Sequence, residues 1–184
     1  MKIIGFCGLP GAGKTTAIES IKDLGKVITM GDVIRNELLK RNIEPSDDNL
    51  GYMAKKLRNE GGDEIIAEKC VELIQKCSQN KIIFIDGIRS KAEVEVFRKI
   101  WKFPIIAIEL NQKLRYRRIV ERARVDDSRD LTDIKERDLR EIGFGLEDVI
   151  KAADYHIYNE GTTEELKEKT RIIVLKILDS LFDN

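Results

Sequence analysis

The chain has 184 residues, enough for one globular domain with a substantial core and too few for two full ones. Its 33 basic and 33 acidic residues balance, so the overall charge does not favour a nucleic acid or a membrane surface as partner. No apolar stretch approaches the ~18 residues of a membrane span, and the short N-terminal run does not read as a signal peptide. We therefore expect a cytoplasmic protein. Cys7, Cys70 and Cys77 form no C-x-x-C pair, which indicates reduced thiols.

The first predicted strand, over residues 3–7, leads directly into a phosphate-binding loop. The next eight residues read GLPGAGKT and satisfy the pattern G-x-x-x-x-G-K-[ST]. In such loops, backbone N–H groups and the start of the following helix surround phosphate oxygens. The Lys14 ammonium is expected to contact the β- and γ-phosphates, and the Thr15 hydroxyl to bind Mg²⁺. The predicted ATP-binding residues here are Gly8, Leu9, Pro10, Gly11, Ala12, Gly13, Lys14, Thr15 and Thr16.

The rest of the chain alternates strands with helices. Further strands are predicted over residues 26–30, 81–85, 104–110 and 154–158. Helices are predicted over 33–40, 49–60, 65–77, 90–101 and 112–124, then up to 141, up to 152, and over 162–182. The third strand is continuously apolar, as in a parallel strand covered on both faces. This pattern predicts one α/β domain, residues 1–184, with a parallel sheet and right-handed crossovers.

About 50 residues separate the second and third strands, far more than a crossover needs. Insertions at the carboxyl ends of strands are where such folds build substrate sites. We interpret residues 31–80 as a helical insert that binds the acceptor substrate. An inert helical decoration is the alternative.

Three side chains are predicted to lie near the phosphates at the carboxyl edge of the sheet. Asp86 ends the third strand, where a carboxylate can hold Mg²⁺ or its waters, although an ordinary Asp-Gly turn has the same letters. Arg89 follows it, and Arg35 lies one turn into the helix after the second strand. Two arginines on either side of a cleft favour a clamp for a second anionic group. Two solvated arginines are the alternative.

A cluster of arginines follows the fourth strand. Arg115, Arg118 and Arg122 have i, i+3, i+7 spacing and are predicted to share a helix face. Acidic residues at 126, 127, 130 and 133 follow and would repel a nucleic-acid backbone. We interpret residues 118–141 as an arginine-rich lid over the transferred phosphoryl group, with a solvated basic helix as the alternative. His156, in the last predicted strand, is expected to be structural.

These motifs resemble those of the nucleoside monophosphate kinases, adenylate kinase above all. Residues 8–15 match the family loop G-x-P-G-[AS]-G-K-[ST], and residues 31–35 match [ST]-G-D-x-[LI]-R except that Met30 replaces the threonine. Residues 86–89 are a shortened D-G-F-P-R, and residues 118–122 match the lid motif R-I-V-x-R. The large lid insert of the long adenylate kinases is absent. Residues 153–162 resemble the last-strand loop of related small kinases, including dephospho-coenzyme A kinase.

The resemblance includes an archaeal group of adenylate-kinase-related proteins, and it implies a five-stranded parallel sheet in the order 2-3-1-4-5. It implies an ATP- and Mg²⁺-dependent kinase with a nucleotide-like acceptor, AMP the first candidate. Asn159 and Gly161 would lie along the adenine, with Thr15 and Asp86 at the metal. The acceptor would be held by Gly31, Asp32, Arg35, Gly87 and Arg89. The transferred group would be met by Lys14, Arg89, Arg118 and Arg122, with Arg124 as a further candidate.

Two other functions stay open at this point. A kinase acting on a hydroxyl, such as that of dephospho-coenzyme A, would need a carboxylate base near the acceptor, and Asp32 could serve. A nucleotide-controlled switch with weak ATPase activity would use the arginines to sense the γ-phosphate.

Overall fold

The computed structural model of the chain describes residues 1–77, 81–122 and 130–182. Within them, five strands form one parallel sheet in the order β2-β3-β1-β4-β5, as the resemblance implied. The strands are β1 Lys2–Cys7, β2 Lys26–Thr29, β3 Ile82–Asp86, β4 Ile105–Glu109 and β5 Tyr155–Tyr158. Because Asp86 is in register with both Phe6 and Thr29, the carboxyl ends of the three neighbouring strands meet at one edge.

The predicted helices are all present, with shifted ends. They are α1 Lys14–Glu19, α2 Met30–Lys40, α3 Asp47–Gly61, α4 Ile65–Gln75, α5 Lys91–Arg98, α6 Gln112–Arg122, α7 Leu131–Gly143, α8 Leu146–Lys151 and α9 Thr163–Phe182. The second strand, predicted to end at residue 30, ends at Thr29, and the next helix, predicted from residue 33, already contains Gly31 and Asp32. Thr29 is the extended residue that precedes α2, so both belong to the first turn of that helix.

The sheet lies between two helical layers. Ile3 and Cys7 of β1 face a core that includes α2 to α5 and α8, whereas Ile4 and Phe6 face α1 and α9. Both faces of the central strands are therefore buried, which explains their continuous apolar sequence.

Side-chain caps define where two helices near the site begin. Ser90 and Glu93 form a capping box at the start of α5, which holds the turn that leaves β3. Ser46 Oγ accepts a hydrogen bond from the backbone N–H of Asn49 and begins α3 in the insert. Among the described residues, no helix has the length and apolar character that a bilayer crossing demands.

Candidate active site

The phosphate loop turns sharply between β1 and α1. Gly8, Gly11 and Gly13 all have positive φ, which favours glycine. A Cβ on Gly8 would collide with the carbonyl oxygen of Ile108 in β4, so the loop also needs glycine for space. The turn brings the loop over the carboxyl edge of the sheet.

A cavity of about 560 Å³ opens above this loop. It brings together residues that were predicted from five separate parts of the chain: Pro10, Gly11, Gly13, Lys14, Thr15, Thr16, Gly31, Arg35, Asp86, Gly87, Arg89, Arg118 and Asn159. In the described part of the chain, the predicted residues that do not line it are Gly8, Leu9, Ala12, Asp32 and Gly161. The side chain of Arg122 lies outside the described residues, as does Arg124.

Lys14 is half buried, and its ammonium is held by the loop itself. Its Nζ donates hydrogen bonds to the carbonyl oxygens of Gly8 at 2.5 Å and Leu9 at 3.4 Å. Burial lowers the pKa of Lys14, although the carboxylates of Asp86 and Glu141 oppose this. The Lys14 ammonium, which is expected to contact the phosphates, therefore binds the carbonyl groups of its own loop in this structure.

Asp86 presents an oxygen suited to a cation. Among the described residues, its Oδ1 is buried without any hydrogen-bond partner. Burial raises the pKa of Asp86, and the nearby charges of Lys14 and Arg89 partly counteract this. A buried carboxylate oxygen without a donor is costly unless a cation compensates it. Together with the Thr15 hydroxyl on the cavity wall, this arrangement fits Mg²⁺, which prefers oxygen ligands.

Arg89 is the most strongly held of the predicted acceptor residues. Its guanidinium donates to the carbonyl of Gly87 at 2.9 Å and to Glu141 Oε1 at 3.3 Å. Its backbone N–H donates to Glu93 Oε2 at 2.7 Å, so the capping residue of α5 also fixes this turn. Burial lowers the pKa of Arg89, but Glu141 and Glu93 raise it overall, so the side chain stays cationic.

The helix after β2 places Arg35 on the cavity and Asp32 off it. Arg35 donates to Asp32 at 2.8 Å across one turn of α2, and the Asp32 side chain is 56% exposed. A threonine stands one position before the place that the family motif gives to its threonine. Thr29 lines the cavity, whereas Met30 is fully buried in the core.

Two arginines of α6 that were predicted to share a face have different surroundings. Arg118 lines the cavity, but Arg115 is 3% exposed and forms a two-point ion pair with Asp138 of α7 at 3.0 and 2.6 Å. Arg115 also donates to the carbonyl oxygen of Pro10 at 2.9 Å. It therefore connects α6 and α7 to the phosphate loop, and its charge is already compensated.

Asn159 supports the same loop from the other side. Its side-chain amide donates to the carbonyl oxygen of Ala12 at 2.8 Å, and it occupies the space that a Cβ on Gly13 would need. Gly161 is exposed.

Three charged residues of the cavity wall were not predicted as site residues: Glu121 on α6, and Arg137 and Glu141 on α7. Arg137 lies 3.4 Å from Asp47 of α3 and 3.8 Å from Glu141, measured from its Nε. Glu141 is 6% exposed and faces Arg89. The spacing of Arg137 and Glu141 could have indicated that they lie together, because residues four apart share one face of a helix.

The sequence of the chain matches those of known proteins. Residues 4–142 match the family model described as AAA domain. The chain is 44% identical over 181 residues to the UPF0200 protein of Methanothermobacter thermautotrophicus, which covers 97% of the chain and 92% of that protein. It is 41% identical to the UPF0200/UPF0201 protein of Archaeoglobus fulgidus over 96% of the chain, and it spans only 56% of that relative's length.

A solved structure shares the fold. The crystal structure of TT1252 from Thermus thermophilus has a TM-score of 0.62 and 18% sequence identity, and the match covers 95% of this chain and 97% of that one. At this level of identity the likeness concerns the fold alone.

Proposed function

Because the chain belongs to the UPF0200 family and carries a kinase-like P-loop domain of the AAA type, we propose that it is an ATP-dependent phosphotransferase. Its acceptor is a small nucleotide-like molecule that carries a phosphate, with AMP the first candidate. The single observation that carries this proposal is that donor and acceptor groups line one cavity. Its volume, about 560 Å³, lies within the range of small-molecule sites.

The donor half of the cavity is the phosphate loop. In this proposal residues 8–16 bind the phosphates of ATP, and Lys14 leaves its loop carbonyls to contact the β- and γ-phosphates. Thr15 and Asp86 would hold Mg²⁺, which when bound neutralises charge on the phosphate oxygens. The uncompensated Oδ1 of Asp86 supports that assignment.

The acceptor half is formed by α2, the turn after β3, and α7. Arg35, Arg89 and Arg137 would bind the acceptor phosphate, with the Thr29 hydroxyl beside them. Arg118, together with Arg122, would stabilise the transferred group. A phosphate acceptor is already a nucleophile, so this reaction needs no general base.

A hydroxyl acceptor finds less support. Asp32 is the residue that would have to serve as base, but it is exposed, it pairs with Arg35 and it does not line the cavity. A base must lie within hydrogen-bond reach of the proton that it removes.

The test is ADP formation over a panel of acceptors: nucleoside monophosphates, dephospho-coenzyme A, and no acceptor. We expect ADP to depend on a monophosphate. Arg89→Ala should then lower kcat/KM by about 30- to 1,000-fold, the cost of ~2–4 kcal/mol for losing a charge-assisted pair, whereas Asp32→Asn should be mild.

Other outcomes would contradict the proposal. A larger loss of kcat/KM in Asp32→Asn than in Arg89→Ala would favour a kinase that acts on a hydroxyl group. ADP formation that no acceptor changes would favour a nucleotide-controlled switch. Circular dichroism and binding of an ATP analogue would check that both variants keep the fold and the donor site.

A further inference from the structure

Glu141 is an acidic side chain at the place where the proposed site would bind an anion. Its side chain is 8% exposed. Its Oε1 lies 3.3 Å from Nη2 of Arg89 and 3.8 Å from Nε of Arg137, and all three residues line the cavity. A carboxylate between two acceptor-site arginines needs an explanation, because it neutralises the cations that an acceptor phosphate would use.

The Glu141 carboxylate is ionised near neutral pH. Burial alone would raise its pKa, but Arg89, Lys14 and Arg137 together lower it below its usual value. It therefore acts as an anion here, and an ionised carboxylate held by guanidinium groups is a poor proton acceptor.

The position of Glu141 does not depend on a ligand. Its helix α7 is fastened to α6 by the buried Arg115–Asp138 pair and to α3 by Arg140, which lies 2.7 Å from Asp47. The carboxylate is thus carried into the cavity by contacts made elsewhere on the helix.

We propose that Glu141 is an internal competitor for the acceptor phosphate. Glu141 pairs with Arg89 and Arg137, and the phosphate of a bound acceptor replaces it at both arginines. The inference rests on the proposed function, because it assigns these arginines to the acceptor.

Competition of this kind sets a threshold for binding. Every anion must first displace the same carboxylate, so all of them lose the same factor in affinity. A phosphate monoester dianion interacts about twice as strongly with the cations as a monoanion does, because Coulomb energy scales with charge, and it passes the threshold. A monoanion replaces the singly charged Glu141 carboxylate at the arginines with another single charge, so it gains no electrostatic energy, and it still loses its translational freedom on binding. The preference for a terminal phosphate monoester therefore comes from the charge of the dianion at the arginines, and Glu141 lowers the affinity for every anion without changing the ratio between them.

Two other roles of Glu141 predict different results for its removal. If Glu141 only orients the two arginines, its removal would weaken anion binding. If it stays beside the bound ligand, its removal would help a dianion more than a monoanion, because the repulsion grows with ligand charge. The three roles thus differ in the sign or the ratio of the effect.

The experiment measures equilibrium binding of methyl phosphate and methyl sulfate by ligand-observed NMR, with a magnesium complex of a non-hydrolysable ATP analogue filling the phosphate loop. At about pH 8 methyl phosphate is a dianion and methyl sulfate is a monoanion of the same shape. Glu141→Gln should bind both ligands about tenfold more tightly than the wild-type chain, the value of one charge-assisted contact. The matched control is Glu147→Gln in α8, which removes an exposed carboxylate that pairs with the exposed Lys151 at 3.7 Å and does not line the cavity. It should change neither affinity.

Glu141→Asp provides a second test, because it keeps the negative charge but moves it away from Arg89 by the length of one methylene group. It should also bind both ligands more tightly. Weaker or unchanged binding in these variants, or a much larger gain for methyl phosphate than for methyl sulfate, would overturn the proposal. Equal gains without any acceptor-dependent ADP formation would support the competitor and refute the kinase. Failure of every variant and the wild type to bind methyl phosphate would refute the acceptor site and the competitor together.

Discussion

Arg115 of α6 and Asp138 of α7 form a buried ion pair that reaches the phosphate loop, and Asp138→Asn should disturb both stability and nucleotide binding. Their side chains are 4% and 6% exposed, and the two N···O distances are 3.0 and 2.6 Å. The substitution keeps the shape of the side chain and removes its charge. The Arg115 guanidinium is then left charged and buried, with only the Pro10 carbonyl and a weaker amide as acceptors.

The expected magnitude follows from that uncompensated charge. Breaking a buried pair from one side typically costs about 3–5 kcal/mol, and an amide that keeps one hydrogen bond points to the lower end, about 3 kcal/mol. For a chain of this size each kcal/mol lowers Tm by about 2–4 °C, so we expect a loss of about 6–12 °C. Affinity for an ATP analogue should also fall, because Arg115 supports the loop.

The assay is thermal unfolding followed by circular dichroism, with titration of an ATP analogue alongside. Glu121→Gln is the matched control, since it makes the same chemical change in an exposed pair with Arg117 and should leave Tm unchanged. A loss below about 2 °C in Asp138→Asn, or one no larger than in the control, would refute the reasoning that this pair anchors α6 and α7.

Three further predictions concern the loop, the lid and the thiols. Lys14→Ala should keep the fold and lose transfer activity, and a rate above about a tenth of the wild-type rate, ~1.4 kcal/mol in barrier, would contradict the role of Lys14. Amide hydrogen exchange in residues 118–122 and 131–141 should slow when a bisubstrate analogue binds, and unchanged exchange would argue against a closing lid. Burial raises the pKa of the Cys7 and Cys70 thiols to about 12, so both stay protonated near neutral pH, and a disulfide reagent should modify the half-buried Cys77 first; equal rates for all three thiols in the native protein would count against this.

Local features of the sequence predicted most of the fold and the loop that we propose to bind the donor. The glycines and Lys14 of the phosphate loop lie within eight consecutive residues, so their pattern is complete without any distant contact. The continuous apolar run of β3 likewise indicates a strand that is buried on both faces, and Asp86 follows directly from where that strand ends. Such signals depend on neighbouring residues and survive in the sequence alone.

Only the tertiary structure decided how the charges of the proposed acceptor half are paired. Arg89 and Glu141 are 52 residues apart in the chain, and Arg115 and Asp138 are 23 apart, so no local pattern indicates that they meet. The sequence placed Arg115 with Arg118 on one face of a lid helix, yet packing of α7 buried Arg115 and left Arg118 on the cavity. The sequence does not show whether solvent, another side chain or a ligand compensates the charge of an ionisable residue. The packing of distant helices decides which of these the side chain contacts.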